Sequence, residues 1–227
     1  MITTKALRAL AEAGDADSQF RLGYRIAFGR HRIHNWLEAI DWWERSAKKG
    51  HARAQFYLAT CYDFGKGAQK DMSKAFKWYR RAAIRGHDIA QYNLGFCYRE
   101  GEGCPRNSRR AVFWFRKAAD QNNVDAIRDL GVCFHEGGGV RANQKAAVRY
   151  YRIAAREGDH KSMYNLGLCY LDGDGVKPNT VKSLEWFQKA AIAGNRKAKA
   201  KIKLLPKCLN KKPTIKKTCN SIIGNLT

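Results

Sequence analysis

The sequence predicts an all-α fold, a solenoid of about five stacked 36-residue helix-turn-helix repeats, and three series of residues carry that prediction. Glycines fall at Gly14, Gly50, Gly86, Gly158 and Gly194, with Asn122 in the one gap, so each step is 36 residues. Leu22, Leu58, Leu94, Leu130, Leu166 and Ile202 keep that step, as do Ser18, Ala54, Ala90, Ala126, Ser162 and Ala198 four residues before them. An aromatic pair recurs as Trp42-Trp43, Trp78-Tyr79, Trp114-Phe115, Tyr150-Tyr151 and Trp186-Phe187. Self-similarity at a fixed period of this length marks stacked supersecondary units, each of which buries its apolar face against the next.

The elements of one repeat follow in order. In the first helix the small residue and the leucine, four apart, share one face and let a neighbouring helix approach closely. A Gly-x-Gly turn ends it, at Gly65-Lys66-Gly67, Gly101-Glu102-Gly103, Gly137-Gly138-Gly139 and Gly173-Asp174-Gly175. Glycine there supplies the positive φ that reverses the chain. Asn35, Asp71, Asn107, Asn143 and Asn179 then announce the second helix, because a short acceptor side chain satisfies the N–H groups of a first turn. Within it, Ala47, Ala83, Ala119, Ala155 and Ala191 lie four positions after the second ring of each aromatic pair. A large ring against a small side chain is a packing arrangement, and each buried ring contributes roughly 1.5 to 3 kcal/mol. The aromatics are therefore read as core rather than as a stacking surface for bases. The repeats run over residues 15–50, 51–86, 87–122, 123–158 and 159–194. Residues 1–14 and 195–206 each read as a single helix capping one end, and 207–227 as a basic, disordered tail.

These residues resemble the Sel1-like repeat, a relative of the tetratricopeptide repeat. The stretch Ala90-Gln-Tyr-Asn-Leu-Gly-Phe-Cys-Tyr-Arg-Glu-Gly-Glu-Gly103, followed by Ala111-Val-Phe-Trp-Phe-Arg-Lys-Ala-Ala119, looks like one complete unit. The resemblance covers residues 15 to 194 and is weakest in the first unit, where Arg25 and Gly29-Arg30-His31 depart from the later pattern. It implies a right-handed superhelix of paired antiparallel helices with a concave face that holds partner proteins.

The chain carries 43 Lys/Arg against 20 Asp/Glu, a net charge of +23, which favours acidic proteins, nucleic acid or anionic lipid as partners. Ten of those cations lie in residues 195–227, which hold no acid. With 44% apolar residues the chain is not wholly disordered, and no stretch approaches the roughly 18 to 20 apolar residues of a membrane-spanning helix. The first residues carry no recognisable secretion signal, so a cytoplasmic location is expected.

Cys61, Cys97, Cys133 and Cys169 are also 36 apart and occupy one position on successive first helices. Helices stacked about 8 to 10 Å apart hold such residues beyond the roughly 4.4 to 6.8 Å that a disulfide spans, so they read as small buried hydrophobes. Secreted cysteine-rich members of the resembled family carry two cysteines per repeat; one per repeat here fits a reducing compartment. Cys104, Cys208 and Cys219 are the expected exposed thiols. His51 and His87 share a register, which suggests a helix start; His31, His34, His135 and His160 form no ligand spacing. Neither Cys-x-x-Cys nor His-Glu-x-x-His occurs, so no metal is expected. No cofactor is implied, since every repeat needs its Gly-x-Gly turn to fold. The acids are scattered, Asp172 with Asp174 and Glu100 with Glu102 lying at turns, and no nucleophile stands beside a base, so no enzyme is expected.

The favoured function is therefore a non-enzymatic scaffold or adaptor, a monomer that holds a protein or peptide of acidic character. Tetratricopeptide-like geometry carried over to this register lines the concave face with Phe56, Thr60, Asp63 and Phe64, then Tyr92, Phe96, Arg99 and Glu100. Arg128, Val132, His135 and Glu136 follow, then Tyr164, Leu168, Leu171 and Asp172. Apolar members would anchor a peptide while Arg99, Arg128 and His135 select a carboxylate. Arg128 is singled out because aromatics (Phe20, Phe56, Tyr92, Tyr164) hold its register elsewhere; the alternative is a solvated substitution. The alternative function is sequence-independent binding of nucleic acid or another polyanion by a convex stripe of Arg80, Arg81, Arg116, Lys117, Arg152 and Lys189. The tail lysines Lys211, Lys212, Lys216 and Lys217 would reinforce it.

Overall fold

A computed structural model describes residues 3–29 and 35–209, with side chains as far as Leu205. Among these residues there are twelve helices and no strand. They are α1 (Thr4–Glu12), α2 (Ala16–Phe28), α3 (Trp36–Lys48), α4 (Ala52–Phe64), α5 (Met72–Ile84), α6 (Asp88–Glu100) and α7 (Ser108–Ala119). After them come α8 (Val124–Glu136), α9 (Gln144–Arg156), α10 (His160–Asp172), α11 (Thr180–Ile192) and α12 (Arg196–Leu209). No described helix is long and apolar enough to cross a membrane. The chain forms two compact units, residues 1–121 with α1–α7 and residues 122–227 with α8–α12. In each unit every helix packs on its neighbours in sequence, the pattern of an all-α repeat solenoid. Of the expected Lys-rich tail, residues 210–227, with Cys219, lie outside the described residues, as do His31 and His34. Helix α12 continues to Leu209 and so takes in the first three residues of that tail.

Local chemistry sets the helix ends. Asn35, Asp71, Asn107, Asn143 and Asn179 each accept the backbone N–H three residues on, at 2.9 to 3.1 Å. First helices start the same way, on Asp15, His51, His87, Asn123 and Asp159. At their C-termini Gly65, Gly101, Gly137 and Gly173 adopt φ between 69° and 88°. The cysteine carbonyl four residues before each glycine accepts from that glycine and from the residue after it. Asn122, at φ 62°, is the one non-glycine with positive φ among the described residues. Asn reaches this region more readily than other side chains, which explains why it replaces the periodic glycine.

The second glycine of each turn has a different reason to be small. A Cβ on Gly103 would run into the carbonyl oxygen of Met72, and one on Gly175 into that of Gln144. The turn after a first helix is thus pressed onto the start of the preceding second helix, and only glycine permits that approach. Between paired helices the fit is ring into gap. Gly23, Gly95, Gly131 and Gly167 follow the register leucine and face Trp43, Phe115, Tyr151 and Phe187. Those rings are at most 3% exposed, as are Leu22, Leu58, Leu94, Leu130 and Leu166. The aromatic pair divides its labour: the second ring is core in every repeat, whereas Trp78, Trp114, Tyr150 and Trp186 are half-buried. Buried amides add cross-links, with Gln19, Gln55 and Gln91 donating to the carbonyls of Ala11, Ala47 and Ala83 at 3.0 to 3.1 Å. The four register cysteines are buried. Burial pushes the Cys61 and Cys97 thiols up to about 12 and Cys169 to about 11.

Candidate functional site

In unit 1 the face made by α2 and α4 carries a cluster of aromatic rings, two of them open to solvent. Phe20, Tyr24 and Phe28 stand four residues apart on α2, and helical spacing aligns them on one side. Tyr57 of α4 packs on all three, at 5.6 to 5.9 Å between ring centres. Burial and the neighbouring Tyr24 push the Tyr57 phenol up. Phe20 is buried beneath His51, a stack at 4.8 Å, while Tyr24 and Phe28 are 44% and 45% exposed. Above them lies a groove of about 690 Å³ lined also by Leu7, Asp17, Arg21, Arg25 and Arg53. Arg21 pairs with Asp17 at 2.9 Å, Arg25 donates to Thr4 at 3.1 Å, and Arg53 lies 5.8 Å over the Phe20 ring. Three guanidiniums against one carboxylate leave the rim positive. Phe20, Tyr24 and Phe28 hold the same register as the expected lining of the later repeats, in the one repeat whose Arg25 and Gly29 depart from the shared pattern.

The residues expected to bind along α4 and α6 mostly have partners of their own. Phe56 stacks on His87 at 4.5 Å, Asp63 accepts from the buried Tyr79 hydroxyl at 2.9 Å, and Thr60 donates to the Tyr57 carbonyl. Tyr92 leans on Phe115, and Arg99 bonds Glu100 at 2.7 Å while covering Phe96 and Phe115. Among them the structure brings Phe96 and Arg99 together. In unit 2, Tyr164 packs on Phe187, Leu168 joins the core around α11 and α12, and His135 meets Asp174 at 3.0 Å.

Arg128 is placed differently from either expectation. It is neither a solvated substitution nor an open selector of acidic groups, being only 7% exposed. Its guanidinium reaches Asp125 at 2.5 Å, Asp129 at 3.0 Å and Asp159 at 3.4 Å. Burial alone would pull its pKa down; Asp129, Asp125 and Asp159 more than offset this and hold it above the ordinary arginine value. The cause is a register relation that the sequence contains. In three repeats the residue two before the register leucine meets the helix-capping residue of the next repeat: Phe20 with His51, Phe56 with His87, Arg128 with Asp159. Where the cap is an imidazole the partner is a ring, and where the cap is a carboxylate the partner is a cation.

On the second helices Arg80, Arg81, Arg116, Lys117, Arg152 and Lys189 are exposed. Arg81 lies 4.4 Å over Trp78, Lys117 6.0 Å over Phe113 and Lys189 4.6 Å over Trp186. Arg152 instead donates to the Tyr170 hydroxyl at 2.9 Å. Lys211, Lys212, Lys216 and Lys217 lie outside the described residues. No group of three or more metal-ligating side chains occurs among the described residues.

Comparison with known proteins places this architecture. The Sel1 repeat family model matches residues 16–51, 52–87, 88–123, 124–159 and 160–195. Among solved structures, a protective antigen of uropathogenic Escherichia coli strains displaying an SLR fold is 34% identical over 87% of this chain, with a TM-score of 0.83. The chain spans 42% of that antigen's length. A Sel1 repeat protein from Oxalobacter formigenes is 32% identical, covering 90% of this chain and 78% of its own, with a TM-score of 0.79. An immunity protein from Pseudomonas aeruginosa, 24% identical, covers 90% of this chain and 75% of its own at a TM-score of 0.50, a likeness of fold alone. No curated protein matches. With consecutive matches from residue 16 to residue 195, the chain belongs to the Sel1 repeat family.

Proposed function

We propose that this protein is a non-enzymatic interaction scaffold that receives a segment of a partner protein in the groove between α2 and α4. Sel1 repeats generally mediate protein–protein interaction and typically serve as scaffolds without catalysis. The observation that carries the reading is the exposure of Tyr24 and Phe28 beside Arg21, Arg25 and Arg53. Rigid rings supply burial at low entropic cost, and guanidiniums on the rim recognise a carboxylate in a forked geometry. The occupant that fits is an apolar or aromatic anchor flanked by Asp or Glu.

A displayed peptide library sorted on the intact protein tests this. Enriched peptides should carry an acid next to an aromatic or aliphatic residue. Tyr24→Ala with Phe28→Ala should weaken them about thirtyfold, the loss expected for one aromatic anchor of roughly 2 kcal/mol. Arg53→Glu should remove the preference for acids and leave the apolar anchor. Enrichment that persists unchanged in the double alanine variant would refute the groove. Binding confined to low salt and abolished by charge reversal at Arg80, Arg81, Arg116 and Lys117 would instead favour the polyanion reading.

A further inference from the structure

A second cleft, in unit 2, has no counterpart in the groove just described. Arg152 of α9, Tyr170 of α10 and Lys182 of α11 line about 440 Å³ together with Val176, Lys177, Pro178 and Asn179 of the intervening turn. The floor is held in place. Asn179 donates its backbone N–H to the Tyr170 carbonyl at 2.7 Å and caps α11 by accepting from the Lys182 N–H at 2.9 Å. Arg152 fixes the tyrosine by donating to its hydroxyl at 2.9 Å, and the Lys182 ammonium lies 5.7 Å from the ring centre. Since the Tyr170 oxygen accepts from arginine, its own proton points elsewhere and is available to an acceptor in the cleft.

The same register in unit 1 shows what is particular about this place. Around Tyr62 the position of Arg152 is held by Glu44, which accepts from the Tyr62 hydroxyl at 3.3 Å, so the neighbouring Lys74 is offset by an acid. Around Tyr98 the ring of Phe76 packs edge-on at 5.3 Å, where unit 2 has the smaller Val148 at that register. Replacing Glu44 by Arg152 reverses the sign, and replacing Phe76 by Val148 removes bulk. The result is three cations and a hydroxyl donor around one cleft whose lining contains no Asp or Glu.

We propose that this cleft binds a dianionic phosphate, either inorganic phosphate or a phosphomonoester. Arg152 and Lys182 neutralise the two charges, Tyr170 donates to a phosphoryl oxygen, and Lys177 closes the open side. A phosphodiester carries one charge and has two of its four oxygens bonded to carbon, so three cations and a hydroxyl donor favour the monoester.

The test is a titration of the isotopically labelled full chain, followed by NMR, with inorganic phosphate, phenyl phosphate and dimethyl phosphate. Saturable shifts centred on Tyr170, Val176, Asn179 and Lys182 are expected with the first two. Dimethyl phosphate should bind about tenfold more weakly, one charge-assisted hydrogen bond being worth roughly 1.5 kcal/mol or more. Equal affinity for phosphate and phenyl phosphate assigns the site to the free ion. Tighter phenyl phosphate assigns it to a phosphorylated group on a larger molecule. Arg152→Glu should abolish saturation while Arg116→Glu leaves it intact. Tyr170→Phe, which preserves the ring, should weaken binding severalfold with an unchanged spectrum elsewhere. Shifts that do not saturate, that spread over every basic face, or that survive Arg152→Glu overturn the proposal, as does dimethyl phosphate binding as well as phosphate.

Discussion

Replacing Arg128 with alanine strips a guanidinium from three carboxylates at once. Asp125 is 58% exposed at its side chain, so water takes over its charge. Asp129 and Asp159 are 7% and 11% exposed, and for them solvent is a poor substitute. At 3.0 Å the Asp129 attraction is about 5.5 kcal/mol in an effective dielectric near 20, before desolvation is subtracted. Asp159 keeps the Ser162 N–H at 2.7 Å and loses less. Breaking a buried pair by removing one partner costs about 3 to 5 kcal/mol, and the lower end, about 3 kcal/mol, is expected here because Asp159 retains that bond. The assay is urea unfolding followed by circular dichroism, with wild type and variant compared by their transition midpoints. A triple change, Arg128→Phe with Asp129→Asn and Asp159→His, recreates the ring-on-imidazole contact seen at Phe56 and His87. It should recover the stability to within about 1 kcal/mol, since neutral groups of matching shape replace a charged cluster without its desolvation cost. A loss below about 1 kcal/mol in the alanine variant would refute the reasoning, because an exposed ion pair is worth no more than that. Arg128 would then be a solvated side chain open to a partner.

Three further outcomes follow from the same packing. His51 and His87 accept backbone N–H groups through Nδ1 and must be neutral to do so. Burial holds both below 6.5, against the opposing pull of Asp17 and Asp15 on His51 and of Asp88 on His87; Arg53 lowers both. With the folded value below the unfolded one, the unfolded chain binds more protons, so stability is full above pH 6.5 and falls as pH drops from there through the folded values. Unfolding midpoints measured from neutral to acid pH should show this, and His51→Asn with His87→Asn should flatten that part of the profile. Gly95→Ala and Gly167→Ala place a methyl 2.6 and 2.5 Å from the rings of Phe115 and Phe187, and each should destabilise by about 1 to 3 kcal/mol in the same unfolding assay. Half-exposed Cys104 should alkylate before Cys61, Cys97, Cys133 and Cys169, which should react only on unfolding when followed peptide by peptide in a mass spectrometer.

Periodicity alone determined the architecture. Glycine, leucine, capping and aromatic series all repeat with one step, and each constrains the backbone locally: a positive φ, a first-turn acceptor, a ring opposite a gap. Such signals survive in the sequence because they act within a few residues of their own position. Even Asn122 was legible as the stand-in for a glycine, since few other side chains tolerate its φ of 62°. What only the tertiary structure decided concerns contacts between repeats. Arg128 stood out in the sequence as the cation in an aromatic register, yet its meaning depended on Asp159, thirty-one residues away and in the next helix pair. The pairing could have been read by setting the capping series beside the aromatic one, but no local pattern demands that comparison. The groove at Tyr24 and Phe28 and the cleft at Arg152 have the same origin. In each, side chains from successive repeats meet through stacking, and whether a ring is covered or open, or a cation is offset or left with a hydroxyl, depends on the volume and charge that the neighbouring repeat contributes.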